Sequence, residues 1–356
     1  MSDLPAVPFF DGHNDLLLRL FMGDHASAER RFLDGEAAGH IDLPRAVAGG
    51  MVGGLFAIWC PSPGVVISTT FSTLRDGPYD RELPPPLVFE EARSAVLTQA
   101  AMMLRIERAS AGRVTMCRSA GAVRDAVGRG SFAVVLHLEG AEGIDLDLSM
   151  IHVLHAAGLR SLGPVWSRPN PFGHGVPMRF PSNPDTGPGL TEVGERLVRL
   201  CNELRIMVDL SHITEKGFWD VARISTAPLV ATHSNVHSLC PHPRNLLPSQ
   251  LDAVKASDGI VGLNLATSFL RPDGAMRADT ELDVVIRHMD GLIEALGETR
   301  VALGSDFDGC IIPHEIASVA QSQLLFDALR LHGYNNALLE KLAFSNWMRV
   351  LERTIG

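Results

Sequence analysis

Eight short apolar segments, most of them separated by helical patterns or long insertions, constrain the fold of this 356-residue chain more than any other feature. Buried parallel strands read as continuous apolar runs bounded by turn residues, and these segments have that form. They cover residues 7–11, 53–59, 133–138, 161–165, 206–210, 229–232, 259–264 and 301–304. Because strands that alternate with helices imply a parallel sheet, eight of them predict a distorted (β/α)8 TIM barrel.

The helices and loops between these segments are predicted from periodicity and from turn residues. Apolar residues recur at intervals of three and four between 282 and 296, and either Asp279 or Thr280 is the predicted N-cap. A similar apolar stripe follows Thr191. Segments 61–89 and 168–190 are rich in Pro and Gly, which predicts long loops, the second at the C-terminal face of the barrel. No repeat or linker interrupts the pattern, so residues 1–356 are predicted to form a single domain.

Composition excludes several classes of protein. Hydrophobic residues make up 46% of the chain and charged residues 20%, enough for a large core. The formal net charge of −10 argues against nucleic acid or an anionic membrane as a partner. The N-terminal residues lack the basic and apolar regions of a secretory signal, and no apolar run approaches the ~18 residues that suggest a membrane span, so we expect neither feature. Its five cysteines are scattered without a C-x-x-C pair, so we expect reduced thiols and a cytoplasmic protein.

The ends of five predicted strands carry side chains that bind metals or transfer protons. These residues are His13 and Asp15 at the first strand, Glu139 at the third, His212 at the fifth, His233 at the sixth and Asp306 at the eighth. Each has an ordinary alternative: a strand-end histidine can be a core residue, Glu139 a helix cap, and Asp306 part of a β-turn with Gly309. Because the C-terminal ends of barrel strands meet on one face, their joint occurrence favours a single site.

The residue types in this set predict the chemistry of the site. His13 and Asp15 are two apart on an extended segment, so they point the same way and can share one ion. Imidazoles and carboxylates without paired thiolates suit catalytic zinc. The set can hold two zinc ions only if a carboxylate bridges them, and Glu139, together with a shared water or hydroxide, is the predicted bridge. Asp306 is then the predicted general base and acid.

Other histidines receive weaker assignments. His137 has the strand parity of Glu139, which places it in the barrel interior, and a role in supporting the ligands is not favoured. His174, His237 and His242 lie on predicted mouth loops and are candidates only for contact with the substrate.

Five motifs keep their order and spacing from about residue 9 to near the C-terminus. They are DGHNDL at 11–16, LEG at 138–140, VDLSH at 208–212, HS at 233–234 continuing to RN at 244–245, and GSDFDG at 304–309. Together they resemble the renal (membrane) dipeptidase family of the amidohydrolase superfamily, specifically its soluble bacterial branch. Almost the whole chain is covered, and the motifs are specific as a set.

The resemblance implies a role for each matching residue. One zinc ion would be bound by His13, Asp15 and Glu139, and the other by Glu139, His212 and His233. Asp306 would be the acid/base, in agreement with the prediction from the residues. Arg244 matches the family arginine that holds the terminal carboxylate of the substrate, a role that suits guanidinium, although a solvated loop arginine is the alternative. Asn245 is a weaker candidate for substrate binding.

One departure from the family concerns the segment before the second long loop. Where animal members carry a histidine that helps to stabilise the tetrahedral intermediate, this chain has Trp166, followed by Ser167 and Arg168. Oxyanion stabilisation would then depend more on the metals, or on Arg168 or the Trp166 indole N–H.

The sequence and the resemblance together predict a dinuclear zinc-dependent dipeptidase. Its substrates would be small dipeptides with a free C-terminal carboxylate, and family members often accept a D-residue at that position. The family also suggests a homodimer. One alternative keeps the chemistry and changes the substrate to N-acyl amino acids, lactams or esters. Another is a non-catalytic binding protein with the same fold, against which the complete ligand set argues.

Overall fold

The computed structural model describes residues 6–63 and 77–356. Its strands are β1 (Phe9–Asn14), β2 (Met51–Trp59), β3 (Tyr79–Asp80), β4 (Val114–Met116), β5 (Phe132–Glu139), β6 (Leu159–Gly163), β7 (Arg179–Phe180), β8 (Met207–Val208), β9 (Val230–Ala231), β10 (Ile260–Leu263) and β11 (Val301–Leu303). Each of the eight predicted strand segments overlaps one of β1, β2, β5, β6 and β8–β11. Residues 1–5 of the predicted domain and residues 64–76 of the first predicted loop lie outside the described residues.

The main sheet is parallel and has the order β1-β2-β5-β6-β8, with β4 paired to β5 outside that path. Its longest pairing joins β2 to β5 in unbroken register from Gly53↔Ala133 to Trp59↔Glu139. Every residue of β5 is buried, as expected for a strand covered on both faces. The chain therefore has an α/β fold with a parallel sheet that forms at least half of a barrel.

A second parallel sheet has the order β11-β10-β9. Single parallel bridges link its outer strands to the edges of the main sheet: Asn14 with Phe307, and Asp209 with Val230. Because all these strands are parallel, β1, β5, β8, β9 and β11 deliver the residues at their C-terminal ends to the same side of the molecule.

Three short strands were not predicted from the sequence. Strand β4 adds an edge to the main sheet, and β3 and β7 form a two-residue antiparallel pair between the two segments predicted to be long loops. Unlike the equally short β8, β9 and β11, these three strands do not lie in a continuous apolar run, so the sequence pattern does not identify them.

Helices and single helical turns connect most of the strands. The α-helices are Leu16–Met22, Ala28–Leu33, Leu43–Gly49, Phe89–Ala109, Ala120–Gly128, Ser149–Ala157, Glu192–Leu204, Glu215–Ile224, Pro248–Ala256, Thr267–Leu270, Leu282–Leu296, Ser322–Leu331, Asn336–Glu340 and Asn346–Thr354. The 3-10 turns are His25–Ser27, His314–Ile316 and Val319–Gln321, and Lys341–Ser345 is a π-helical turn.

Two of the predicted helix starts can be compared with the structure. Thr191 caps helix Glu192–Leu204, and its side chain accepts a hydrogen bond from the backbone N–H of Gly194, which confirms the predicted start. Helix Leu282–Leu296 begins after Glu281, without a side-chain cap, so the predicted caps Asp279 and Thr280 were wrong. Thr280 instead donates its hydroxyl to the carbonyl of Arg277.

The buried apolar residues form two clusters. The larger one lies between the strands and the surrounding helices. The smaller one contains residues from β1, β2, β5 and β8–β11, together with the C-terminal helix; its members include Phe10, Leu55, Val135, Met207, Val230, Ile260, Ala302, Trp347 and Leu351. Strands of both sheets therefore share one inner core.

Trp347 lies against both β1 and β11 in this inner core. Its indole N–H donates to the carbonyl of Leu303 at 2.9 Å, and its ring is fully buried. A Cβ at Gly12 would clash with the ring and with two backbone carbonyls, so the first motif needs glycine between Asp11 and His13 for packing reasons.

Within residues 6–63 and 77–356, no helix combines the length and the apolar character needed to cross a membrane.

Candidate metal centre

The five predicted metal ligands converge around one carboxylate oxygen. Oε1 of Glu139 lies 3.6 Å from Nε2 of His13, 2.8 Å from Nε2 of His212 and 3.4 Å from Nε2 of His233. Asp15 Oδ2 lies 3.6 Å from the same nitrogen of His13. The ligand atoms therefore form two groups that share Glu139, each with its atoms within 4.8 Å of one another.

The chemistry of this donor set fits metal ions. Neither ring nitrogen of His13 has a hydrogen-bond partner among the described residues, although the ring is completely buried. Buried polar atoms normally have partners, and three imidazoles with two carboxylates are ligands that zinc accepts. The residues present therefore fit the group that the sequence predicts.

The electrostatics of the two carboxylates agree with this assignment. Burial, followed by the negative charge of Glu139, raises the pKa of Asp15 to about 8. Burial also disfavours the charged form of Glu139, but the charge of His13 and hydrogen bonding with His13 and His212 outweigh burial and lower the pKa of Glu139 well below its usual value. The protein alone therefore favours a proton on Asp15, and a bound cation would replace that proton.

His233 is oriented by a hydrogen-bonded relay. Thr232 Oγ1 lies 2.7 Å from Oδ2 of Asp209 and 2.8 Å from Nδ1 of His233. Because a carboxylate can only accept, the hydroxyl donates its proton to Asp209 and accepts from the Nδ1–H of His233. This leaves the lone pair on Nε2, the nitrogen that faces Glu139, as a metal ligand requires.

His212 has a similar partner on another loop. Its Nδ1 lies 2.9 Å from Oγ of Ser167, and its Nε2 faces Glu139. Burial lowers the pKa of His212 to about 4, with a further contribution from the charge of Arg244. The ring is therefore neutral at physiological pH and available as a ligand.

Asp306 lies beside these residues on a tight turn after β11. Its backbone has φ of 60°, its N–H donates to the carbonyl of His13, and its Oδ2 accepts a 2.9 Å hydrogen bond from Asn264. Gly309 donates its N–H to the carbonyl of Asp306, so the alternative β-turn also exists. A Cβ at Gly309 would clash with the carboxylates of Asp15 and Asp306, and glycine is therefore required there.

A second polar cluster anchors this turn. Arg19 Nε lies 3.0 Å from Oδ2 of Asp308, and the backbone N–H of Asp308 donates to Nδ1 of His40 at 2.9 Å. Arg19 belongs to the helix that follows Asp15, so the cluster joins the segments that carry Asp15 and Asp306 into the site.

A cavity opens over these residues. Its lining includes four residues of the predicted site, Asp15, Glu139, His212 and Asp306, and the neighbouring rings of Trp59 and Trp166. The other lining residues are mostly apolar and include Leu18, Leu83, Met178, Phe269 and Met276, together with Arg81 and Glu82. Ligand cavities commonly combine apolar walls with a few convergent polar groups.

Trp166 and Arg168 have different positions relative to this cavity. Trp166 lines it and contacts both His212 and Trp59, with ring centroids 5.8 and 4.8 Å away. Arg168 is fully buried, does not line the cavity, and donates to Glu142, to the carbonyl of Cys60 and to Ser62. Its donors therefore connect three strand-end loops, those that follow β2, β5 and β6.

Arg244 and Asn245 also differ. Arg244 is buried, and its Nη2 donates to the carbonyl of His233 at 3.0 Å, but its Nε and Nη1 have no partner among the described residues. Burial lowers its pKa to about 10. Asn245 uses its amide N–H groups on the carbonyls of Cys240 and Phe269, so its visible role is to shape the loop.

Comparison with known families decides the class of protein. A family model described as membrane dipeptidase (peptidase family M19) matches residues 4–355. The chain belongs to the membrane dipeptidase family. The resemblance inferred from the five motifs is confirmed, and the protein is a metallo-dipeptidase that hydrolyses peptide bonds.

Two metallopeptidases of known structure are similar to this chain over almost its full length. A metallopeptidase from Rhodobacter sphaeroides, solved with a phosphinate mimic of the dipeptide L-Ala-D-Ala, is 52% identical over 98% of this chain and 100% of its own, with a TM-score of 0.96. Dipeptidase AC, a metallopeptidase of family M19, is 51% identical over 99% of this chain and 100% of its own, also with a TM-score of 0.96. A Klebsiella pneumoniae protein described as uncharacterized, in the pqqA 5′ region, is 47% identical over 254 residues, 71% of this chain and 94% of its own.

The sequence did not identify several residues that support this dipeptidase site. Asp209 was visible at a strand end, but its relay through Thr232 depends on contact between two strands. Asn264 contacts Asp306, and Ser167 contacts His212, in each case from another loop. No spacing in the sequence predicts these two contacts. A polar residue directly beside a predicted ligand, such as Thr232 before His233, was the one signal available.

Proposed function

We propose that this dipeptidase binds two zinc ions and cleaves small dipeptides that have a free C-terminal carboxylate. The single observation that carries the proposal is that Oε1 of Glu139 faces the Nε2 atoms of three histidines, since a carboxylate shared in this way can bridge two ions. One ion would be held by His13, Asp15 and Glu139, and the other by Glu139, His212 and His233. When bound, the ions would supply Lewis-acid activation of the attacking water and of the peptide carbonyl.

Asp306 is proposed as the general base and acid. Its carboxylate lines the cavity together with Asp15 and Glu139. Asn264 donates its hydrogen bond to Oδ2, so Oδ1 is the oxygen proposed to exchange the proton. Asp306 would accept a proton from the attacking water as the new C–O bond forms. It would then give that proton to the amine nitrogen as the C–N bond breaks.

Substrate binding is proposed to depend on Arg244 and on the walls of the cavity. A buried guanidinium with two unpartnered nitrogens suits a carboxylate, which can accept two parallel hydrogen bonds. Trp166 forms part of the cavity wall where the animal family members have a histidine. Arg168 and Asn245 remain predictions as substrate residues, and their bonds to protein groups favour a positioning role for both.

We propose that the enzyme accepts a D-residue at the C-terminal position of the dipeptide, because the Rhodobacter sphaeroides relative was solved with a mimic of L-Ala-D-Ala.

We also propose that β1, β2, β5, β6 and β8–β11 close into one (β/α)8 barrel within a single domain of residues 1–356. The two parallel bridges and the shared inner core support closure of the barrel.

A cytoplasmic location is proposed because all five cysteines are unpaired. A homodimer is proposed by analogy with the family.

Metal analysis combined with a substrate panel tests the proposal. The purified protein should contain about two zinc ions per chain, lose activity on chelation and regain it with zinc. L,L and L,D dipeptides should be hydrolysed faster than N-acetyl amino acids, lactams or esters. One ion per fully active chain would overturn the dinuclear assignment, and faster turnover of the N-acetyl amino acids would overturn the substrate.

A further inference from the structure

Two neighbouring side chains outside the metal centre contain buried donors without acceptors. Nε and Nη1 of Arg244 and Nε2 of His242 have no hydrogen-bond partner among the described residues. His242 is completely buried, and Arg244 is 2% exposed. Because buried donors without acceptors are costly and uncommon in folded proteins, such a group of atoms requires an explanation.

The proton on His242 can be assigned from the backbone. The backbone N–H of Arg244 donates to Nδ1 of His242 at 3.1 Å, so Nδ1 must carry a lone pair. Burial and the positive charge of Arg244 lower the pKa of His242 well below its usual value, which keeps the ring neutral. The single ring proton therefore lies on Nε2, and this atom is a donor with nothing to bind.

These donors lie next to the wall of the dipeptidase cavity. The Phe269 ring lines the cavity, and its centroid lies 4.5 Å from that of His242 and 5.3 Å from Cζ of Arg244. Arg244 also donates to the carbonyl of His233, one of the proposed zinc ligands. An acceptor bound in this part of the cavity would therefore lie close to the metal centre.

We propose that Nε2–H of His242 binds the C-terminal carboxylate of the substrate together with the guanidinium of Arg244. This inference rests on the proposed function, in which Arg244 binds the carboxylate, and adds His242 as a second residue that binds it. A carboxylate has about four lone-pair positions, so it can accept from Arg244 and still accept from a neutral imidazole. His242 would then reject substrates that lack the acceptor, because its N–H would stay buried and unpaired.

Two substitutions separate this role from a purely structural one. His242→Asn keeps an amide oxygen near the position of Nδ1, so it can still accept from the backbone N–H of Arg244, but it removes the Nε2 donor. His242→Gln has the opposite effect, since its amide nitrogen lies near the position of Nε2 while the Nδ1 acceptor is lost. Steady-state kinetics of both zinc-loaded variants should be measured on a dipeptide and on its C-terminal amide.

The two roles give opposite orders of activity. If His242 binds the carboxylate, His242→Asn raises KM for the free dipeptide by about 10- to 100-fold and has little effect on the amide, while His242→Gln is closer to wild type. If the imidazole only supports the loop, His242→Gln is the more damaged variant on both substrates, and the inference is wrong. Wild-type KM in both variants would also overturn it. A wild-type enzyme that cleaves no dipeptide would instead overturn the proposed function.

A measurement on the wild-type protein covers the case in which a variant does not fold. In protein labelled with 15N-histidine, addition of free alanine should shift the Nε2 resonance of His242, and alaninamide should not. Assignment of that resonance needs only the spectrum of whichever variant is folded. An Nε2 signal that responds equally to both compounds, or to neither, would contradict binding of a carboxylate.

Discussion

The charged side chains at the two ends of the parallel strands differ in their exposure to solvent. Near the N-terminal ends of β10 and β11, Asp258 forms ion pairs with Arg300, Arg349 and Arg353 at 2.7–3.0 Å, and these side chains are 26–53% exposed. At the C-terminal ends, Asp15 and Glu139 are almost completely buried, together with three imidazoles. One end pairs its charges in contact with solvent, and the other buries them around a site for cations.

This difference indicates which end stabilises the fold and which performs chemistry. Partly exposed ion pairs have a small desolvation penalty, whereas buried charges without full compensation are costly. The metal end therefore lowers stability unless a ligand compensates it, and the rest of the structure must hold it in place. The following substitutions test this division, beginning with the largest expected effect.

Glu139→Gln should have the largest effect, because it removes the charge that three histidines share. We expect zinc content to fall and kcat/KM to decrease by at least about 10³-fold, since a catalytic metal supplies several kcal/mol of transition-state stabilisation. Elemental analysis and dipeptide hydrolysis measure both, and circular dichroism checks that the fold persists. Full zinc content with normal turnover would show that Glu139 is not the bridge.

Asp306→Asn should affect catalysis and spare the metal. Asparagine tolerates the left-handed backbone at this position, where φ is 60°, so the turn should keep its shape. A general acid/base contributes about 10²–10⁴-fold, and kcat should fall by that factor while zinc content stays at the wild-type level. An unchanged kcat would remove Asp306 from the mechanism, and a loss of zinc would reassign it as a ligand.

Thr232→Val should have an intermediate effect, because it breaks the relay from His233 to Asp209 and leaves all the ligands in place. Groups that orient a metal ligand typically contribute 10- to 100-fold, so we expect zinc affinity or kcat/KM to fall by about that factor. Thr232→Ser is the matched control, since it keeps the hydroxyl and should behave like wild type. Equal defects in both variants would indicate that the methyl group, and not the relay, is important.

The relay also illustrates what could be predicted from the sequence. The strands, and the polar side chains at their ends, were predictable because a buried strand is a continuous apolar run and its end is marked by turn residues, as at Glu139 and His233. The contacts among these residues were not predictable in the same way. Asn264 and Asp306 are 42 positions apart, and His40 and Asp308 are 268 apart.

The same limit explains why Arg168 was predicted to face the substrate. The chain places it directly after Trp166, which does line the cavity, but its partners Glu142 and Ser62 come from two other strand ends. Neighbours in sequence can face opposite sides of a loop, and only the folded arrangement shows which donors are already satisfied. His242 is the converse case, because its unsatisfied Nε2 is visible only when the backbone bond to Nδ1 is known.

Asp258→Asn should have the smallest effect on function and tests the other end of the strands. Asp258 has φ of 57°, a conformation that asparagine tolerates, so the substitution removes the charge with little change in backbone. Because the three arginine partners are partly exposed, we expect the free energy of unfolding to fall by only about 1–2 kcal/mol, while kcat/KM stays unchanged. Urea denaturation and dipeptide kinetics measure these two quantities. A clear loss of turnover in a folded, zinc-loaded Asp258→Asn protein would mean that the two ends are energetically coupled, and that the separation of stability from chemistry is wrong.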